Sequence, residues 1–205
     1  MNDVFEYRGA ADLVYAEVTA DTSETITFGE VKELAGLAKV SRKTTSTATP
    51  KFYDNVAAIV VTATGADEIS LDVSAIPQDV LADITGQYFD EATGMLVEME
   101  RTNKYFALGY KTSNTKDEDI YVWRLKGTFN IPDEDHETKK DDANSNGQTL
   151  TYTGISTIHK FTKGNGPAKA VNVNVSAKKI SDADISAFFS TVQTPDTVVA
   201  KTPSA

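Results

Sequence analysis

Two histidines, His136 and His159, are the side chains best suited to acid–base chemistry near neutral pH. His136 lies in an acidic stretch, and His159 lies in the segment Thr149–Phe161, which is predicted to be a strand with His159 facing solvent. A Ser/His/Asp arrangement needs a histidine positioned by a carboxylate beside a serine, and neither histidine lies in such a motif. We expect both imidazoles to be exposed and chemically inert.

Carboxylates offer a second route to chemistry. Glu98 and Glu100 alternate on a predicted strand face, where a hydrolase could use one as acid and the other as base, although such a face is ordinarily solvated. The acidic run Asp133–Asp142 has the oxygen ligands for a divalent cation but lacks the ligand spacing and turn glycine of an EF-hand loop. The chain has no cysteine, which excludes thiolate sites. We therefore predict no enzyme activity, no metal and no cofactor.

The negative net charge of the chain limits the classes of partner that it can bind. Thirty acidic residues against twenty basic ones give a net charge of −10, which opposes binding that depends on neutralising phosphates. The N-terminus lacks a basic region followed by an apolar stretch, and the longest apolar run, Val56–Val61, is far too short for a membrane span. We expect no membrane segment and synthesis in the cytoplasm.

The elements that position these residues are predicted to be strands. The 55 Thr, Val and Ile residues against nine Leu favour a mostly β fold. Residues 69–73 alternate apolar and polar side chains, and Met95–Met99 and Phe106–Tyr110 flank a turn as a hairpin would. The clearest strand is Ile120–Ile131, with Trp123, Leu125 and Phe129 on one face and a half-polar second face that should meet water or another subunit.

Two short helices are predicted among the strands. Pro77 can begin the first helix and Gly86 can end it. Ser181 can cap the second helix through the amide of Asp184. That helix presents an apolar stripe to the sheet, formed by Ile185, Phe188, Phe189 and Val192.

Three segments are predicted to lie outside the core of a single domain that spans residues 1–192. Ser41–Pro50 is rich in Ser and Thr, carries Arg42 and Lys43, and fits a long protruding hairpin. An acidic loop covers residues 133–147. Residues 193–205 lack periodicity and are predicted to be a flexible C-terminal tail.

One region carries a family resemblance. Tyr121–Asp141 reads YVWRLKGTFNIPDEDHETKKD, and Asn146–Gly154 reads NGQTLTYTG. These segments resemble the phage major tail proteins of the phi13 type. The family pattern is matched by Trp123, Lys126, Gly127, Phe129, Pro132, Glu134, Thr138, Lys139 and Asp141. Phe52–Asn55, Ile69–Gly86 and Tyr105–Lys111 are also similar, so the resemblance covers most of residues 30–180.

The resemblance implies a β-sandwich or barrel-like tail tube fold with one or two short helices, shared with the tubes of contractile injection systems. It implies a virion protein of long-tailed, non-contractile phages, whose hexameric rings stack into the channel for DNA passage. Its partners would be further copies of itself, and also the tape measure protein and the tail terminator or distal tail proteins. DNA would pass through without specific binding.

Two sets of residues are the candidate contact sites. The candidate ring-stacking arm is formed by Ser41, Arg42, Lys43, Thr44 and Thr45. The candidate acidic inter-subunit loop is formed by Asp133, Glu134, Asp135, Glu137, Asp141 and Asp142. The alternative function is a β-sandwich binding module of a virion or cell surface, for which Thr-rich strands and a Thr/Pro tail are also typical. A hydrolase with a carboxylate pair is a third reading.

Overall fold

The computed structural model describes residues 4–138, 146–177 and 179–201, and most of them form antiparallel sheet. The predicted mostly β class with two short helices is confirmed. The strands are β1 (Tyr7–Asp21), β2 (Ile26–Phe28), β3 (Lys32–Glu33), β4 (Leu37–Tyr53), β5 (Val56–Val73), β6 (Tyr88–Asp90), β7 (Met95–Val97), β8 (Phe106–Asn114), β9 (Asp119–Phe129), β10 (Asp133–Glu134), β11 (Gln148–Gly154) and β12 (Ala170–Asn174). The helices are α1 (Gln78–Thr85) and α2 (Asp182–Ser186), with one 3₁₀ turn at Val175–Ala177.

One large sheet organises the molecule in the order β2-β1-β8-β9-β11-β5-β4. The last strand, β4, comes back into contact with β1, so one face of the sheet encloses a core. Ile69, Leu71 and Val73 point into this core as their alternation predicts, beside aromatic rings of Tyr15, Phe106, Phe129 and Tyr152. Gly127 leaves room for Tyr152, because a Cβ there would lie 2.4 Å from the tyrosine ring.

A second core lies on the opposite face of β1, β8 and β9. Trp123 and Leu125 are fully buried there against Phe161 and Phe188. The indole Nε1 of Trp123 donates a hydrogen bond to the carbonyl oxygen of Phe188 at 2.8 Å. The segment 180–201, called here the C-terminal strap, contributes Phe188, Phe189, Val192 and Val198 to this cover.

Helix α1 begins and ends where the sequence predicts, whereas α2 begins where predicted but is much shorter. Gly86 ends α1 in the left-handed conformation, with φ of 69°. The Ser181 side chain accepts a hydrogen bond from the Asp184 amide at 3.0 Å. α2 ends at Ser186, earlier than the apolar stripe, but Phe188 and Val192 still pack on the second core.

The second face of β9, predicted to meet water or another subunit, is buried within the chain at Arg124 and Lys126. Arg124 and Lys126 are buried, because each forms an ion pair with a buried carboxylate. Phe129 is on the opposite face from Trp123, in the first core. The reason is a bulge: between the two cross-strand pairs that flank it, β9 advances one residue more than β8, which reverses the alternation.

The predicted hairpin of Met95–Met99 with Phe106–Tyr110 is wrong. β7 pairs with β6, while both sides of β8 are occupied by β1 and β9. The local alternation was real, but it does not specify which strand becomes the neighbour.

The C-terminal tail also differs from the prediction. Gln193 and Thr194 are buried, Val198 packs on the second core, and Ala200 forms a β-bridge with Ile180. Residues 193–201 are therefore a packed part of the strap, held by apolar contacts and by Thr197 hydrogen bonds. Residues 202–205 lie outside the described residues.

Candidate functional site

A two-stranded arm extends from the sheet. β4 and β5 pair with each other over their whole length, but β11 pairs with β5 only from Asp67 to Val73. The stretch Ser46–Thr64, called here the arm, therefore has no hydrogen-bonded strand beside it in the described part of the chain, and all of its residues are exposed. The arm contains eight residues of β4 and nine of β5. Eight residues at about 3.3 Å each give it a length of roughly 26 Å.

The tip of the arm is a tight two-residue turn that joins the two antiparallel strands. Asp54 and Asn55 both have positive φ, 49° and 63°. Two left-handed residues in succession match a type I′ turn, whose twist suits a hairpin, and Asp and Asn tolerate that conformation better than most residues. The turn of the hairpin is at residues 54 and 55, so the segment 41–50, predicted to be a protruding hairpin, is part of its first strand.

The arm carries large apolar side chains in contact with solvent. Phe52 is 65% exposed and Val56 is 66% exposed. The others are Tyr53, Ile59, Val60 and Val61. An apolar run of this kind ordinarily predicts a buried strand, so the sequence gives no signal that Val56–Val61 would lie in solvent.

The five residues predicted as the stacking arm lie at its base. Ser41, Arg42, Lys43 and Thr45 are exposed, whereas Thr44 is partly buried and donates a hydrogen bond to Asp67 at 2.9 Å. Arg42 pairs with Ile69 across the strands, so its side chain is on the face of β4 that turns toward the first core.

A cavity of about 730 Å³, called here the root cavity, lies between the first part of β4 and the strands β1, β8 and β9. Its apolar wall is formed by Val40, Tyr110, Ile120 and Val122. Three basic residues, Lys39, Arg42 and Arg124, also line it. Asp and Glu are absent from the described residues that line it.

Arg124 is only 5% exposed and belongs to a buried charge cluster. Its Nη1 lies 3.2 Å from Asp67 Oδ2, and Lys169 Nζ lies 3.3 Å from Asp67 Oδ1. One carboxylate therefore faces two cations. The Arg124 Nε is buried without a hydrogen-bond partner in the described structure, so the guanidinium retains donor capacity.

A second cavity of about 550 Å³, called here the side cavity, lies between β2 and the strap. It is lined by Phe28, Phe161 and Val192, together with His159. His159 is not on a solvent-facing strand, since β11 ends at Gly154. Its imidazole packs edge-on against Phe161 with ring centroids 5.0 Å apart.

Asp21 fixes the loop that carries His159. Its carboxylate accepts hydrogen bonds from the Ile158 and His159 amides and lies 2.7 Å from Lys126 Nζ. Burial would raise the pKa of Asp21, but the hydrogen bonds from Lys126 and from the two amides outweigh it and hold that pKa below its ordinary value. The contact ties β1, β9 and this loop together.

The predicted acidic loop begins as a short strand. Asp133 and Glu134 form β10 beside β11, and both are exposed. Glu134 accepts a hydrogen bond from Gln148 Nε2 at 2.7 Å and lies 3.8 Å from His136 Nε2. Asp135 and Glu137 are exposed. Asp141 and Asp142 lie outside the described residues.

The remaining candidates for chemistry do not converge. Glu98 and Glu100 follow the end of β7 and are exposed, so they do not share the strand face predicted for them. Within residues 4–138, 146–177 and 179–201, there is no group of three or more His, Asp or Glu side chains that could hold a metal ion. Of the helices in these ranges, none has the length and apolarity to cross a membrane.

Comparisons with known proteins identify no relative from which a function could be inferred. No family model matches the sequence, and no curated protein matches it.

Proposed function

We propose that the protein is a structural virion protein, the major tail tube subunit of a long-tailed, non-contractile phage. Its copies polymerise as stacked hexameric rings and form the channel through which DNA enters the host. The observation that carries this proposal is the arm, an extended apolar hairpin with no cover from the described chain.

Physical chemistry favours a protein partner for such an arm. Burying a Val or Ile side chain contributes about 1.5–3 kcal/mol, and an exposed apolar hairpin is an aggregation hazard unless something covers it. A head-to-tail contact between identical copies covers every arm but the last and propagates without limit. Rings and tubes are the products of such contacts.

The charge of the chain supports a channel more than a DNA-binding surface. A net charge of −10 repels phosphates, so DNA passes such a wall without adhering. In a tail, the partners would be further copies, the tape measure protein and the tail terminator or distal tail proteins. The acidic loop is proposed as a second contact between subunits.

The test is assembly of the purified chain, followed by negative-stain electron microscopy and sedimentation velocity across a concentration series. We expect rings or tubes at high concentration. Replacing Ser46–Thr64 by Asn-Gly should leave a folded monomer, because the removed residues are exposed, but should abolish tubes. A matched control inserts two glycines into the exposed turn between β6 and β7 and should still assemble.

Two results would contradict the proposal. One is a wild-type chain that remains monomeric at every concentration, also when other tail proteins are added. The other is tubes of normal length from the variant without the arm. Monomers that capture a different macromolecule through the arm would instead favour the binding module.

A further inference from the structure

We propose that the root cavity is the receptor for the arm tip of a second copy, with the Asp54 carboxylate of one chain paired to Arg42 and Arg124 of the next. This inference rests on the proposed function, because it specifies where the arm binds. Three observations support it: the chemistry of the cavity, the chemistry of the tip and the direction of the contact.

The cavity is suited to a carboxylate carried on an apolar body. Arg42, which is exposed, and Arg124, which is almost fully buried, both line the cavity and provide positive charge. Val40, Tyr110 and Ile120 provide apolar wall. Asp67 behind Arg124 is shared with Lys169, so it does not neutralise the site. Charge-assisted hydrogen bonds to guanidinium are among the strongest polar contacts in proteins.

The arm tip has the complementary composition. Asp54 is at the farthest point of the hairpin and forms no ion pair in the described structure. Phe52, Tyr53 and Val56 flank it and are all exposed. The tip therefore presents a carboxylate surrounded by aromatic and aliphatic groups, and the cavity presents positive charge with apolar walls. The positive charge of the cavity contrasts with the net charge of the chain, which is −10.

The side cavity is a poorer receptor for this tip. Its lining includes Glu24, Glu30 and Asp196, which would repel Asp54. Its one ionisable base, His159, is half-buried with its ring packed on Phe161. Electrostatic complementarity thus separates the two cavities.

The contact has a direction and a length. The donor group and the receptor lie at opposite ends of the same strand, so the contact is heterologous and leaves a free tip and a free cavity on every complex. Arg42 and Asp54 are twelve residues apart on and just beyond β4, which corresponds to about 40 Å of extended strand. Copies joined in this way should repeat along the tube axis at no more than this distance.

Single substitutions test the ion pair. Asp54→Asn removes the charge but keeps a residue that accepts a positive φ, so the turn is preserved. We expect the concentration needed for assembly to rise about 10-fold or more, the usual effect of losing a charged hydrogen bond. Asp117→Asn is the matched control, since Asp117 is also exposed at a positive-φ turn position and lines neither cavity. It should assemble like wild type.

A mixing experiment tests the direction. The variant with Ser46–Thr64 replaced by Asn-Gly keeps the cavity but has no arm, and Arg42→Glu keeps the arm but repels Asp54. Neither should assemble alone, and together they should form a 1:1 complex in sedimentation velocity. Circular dichroism confirms that each variant is folded.

Covalent capture gives an independent readout, because the chain has no native cysteine. Val56→Cys near the tip combined with Lys39→Cys at the cavity should yield a disulfide-linked ladder. Val56→Cys combined with Thr27→Cys in the side cavity should not. If wild type forms tubes but Asp54→Asn assembles normally, or if the ladder forms only with Thr27→Cys, the receptor is wrong and the tube function stands. If wild type never associates, both proposals fail.

Discussion

The arm and the C-terminal strap have similar compositions but opposite surroundings. Both are rich in Thr, both contain one Pro, and both carry Val, Ile and Phe. The arm leaves Phe52 and Val56 in solvent, whereas the strap buries Phe188 completely. The difference lies in the neighbours: the strap lies on the outer face of β9, and the arm extends past the last strand that could cover it. Apolar composition therefore does not decide whether a segment packs on its own chain or stays exposed.

Truncating one phenylalanine in each segment should give the largest difference between them. Phe188→Ala should lower the free energy of unfolding by about 3–5 kcal/mol, because it opens a cavity beside Tyr121 and Trp123. Phe52→Ala should change it by less than about 0.5 kcal/mol, since the ring is mostly exposed. Urea denaturation of the monomer measures both. Equal effects would show that the arm packs on its own chain.

The anchor beneath the strap provides a pH-dependent test. Asp21→Asn should destabilise the fold by about 3 kcal/mol at pH 7, because it leaves Lys126 buried without its carboxylate. The pKa of Asp21 is lowered in the folded state, so its contribution is complete above the ordinary value of 3.8 and is lost as pH falls through the lower folded value.

The measurement is urea unfolding of wild type and Asp21→Asn at pH 7, 5 and 3. We expect the gap between the two proteins to be similar at pH 7 and 5 and smaller at pH 3. A gap that stays constant down to pH 3 would show that Asp21 acts through packing alone.

The smallest expected effect concerns Ser181, the N-cap of helix α2 in the strap. Ser181→Ala removes the hydrogen bond to the Asp184 amide and should cost about 1 kcal/mol. Thr47→Ala in the arm is the control and should be close to neutral, because that side chain is exposed. Thermal melts of the two variants distinguish a capped, packed helix from a segment that is merely close to the sheet.

Local features were determined by the sequence itself. Alternation at Ile69, Leu71 and Val73 marks the core face of β5, and Gly86 and Ser181 mark helix boundaries, because side-chain periodicity and capping act over a few residues. The polar residues 41–50 predicted a segment outside the core, but the apolar run Val56–Val61 gave no signal that its strand would protrude with it. The same locality explains why the mostly β class could be inferred before any contact was known.

Only the tertiary structure decided which neighbours these elements meet. The pairing of β7 with β6, the burial of Arg124 and Lys126, and the packing of residues 193–201 all depend on groups far away in the chain. A strand pattern specifies a face but not a partner, and a lone cation does not reveal a distant carboxylate. The root cavity arises in the same way, since the strands that line it meet only when β4 returns to β1.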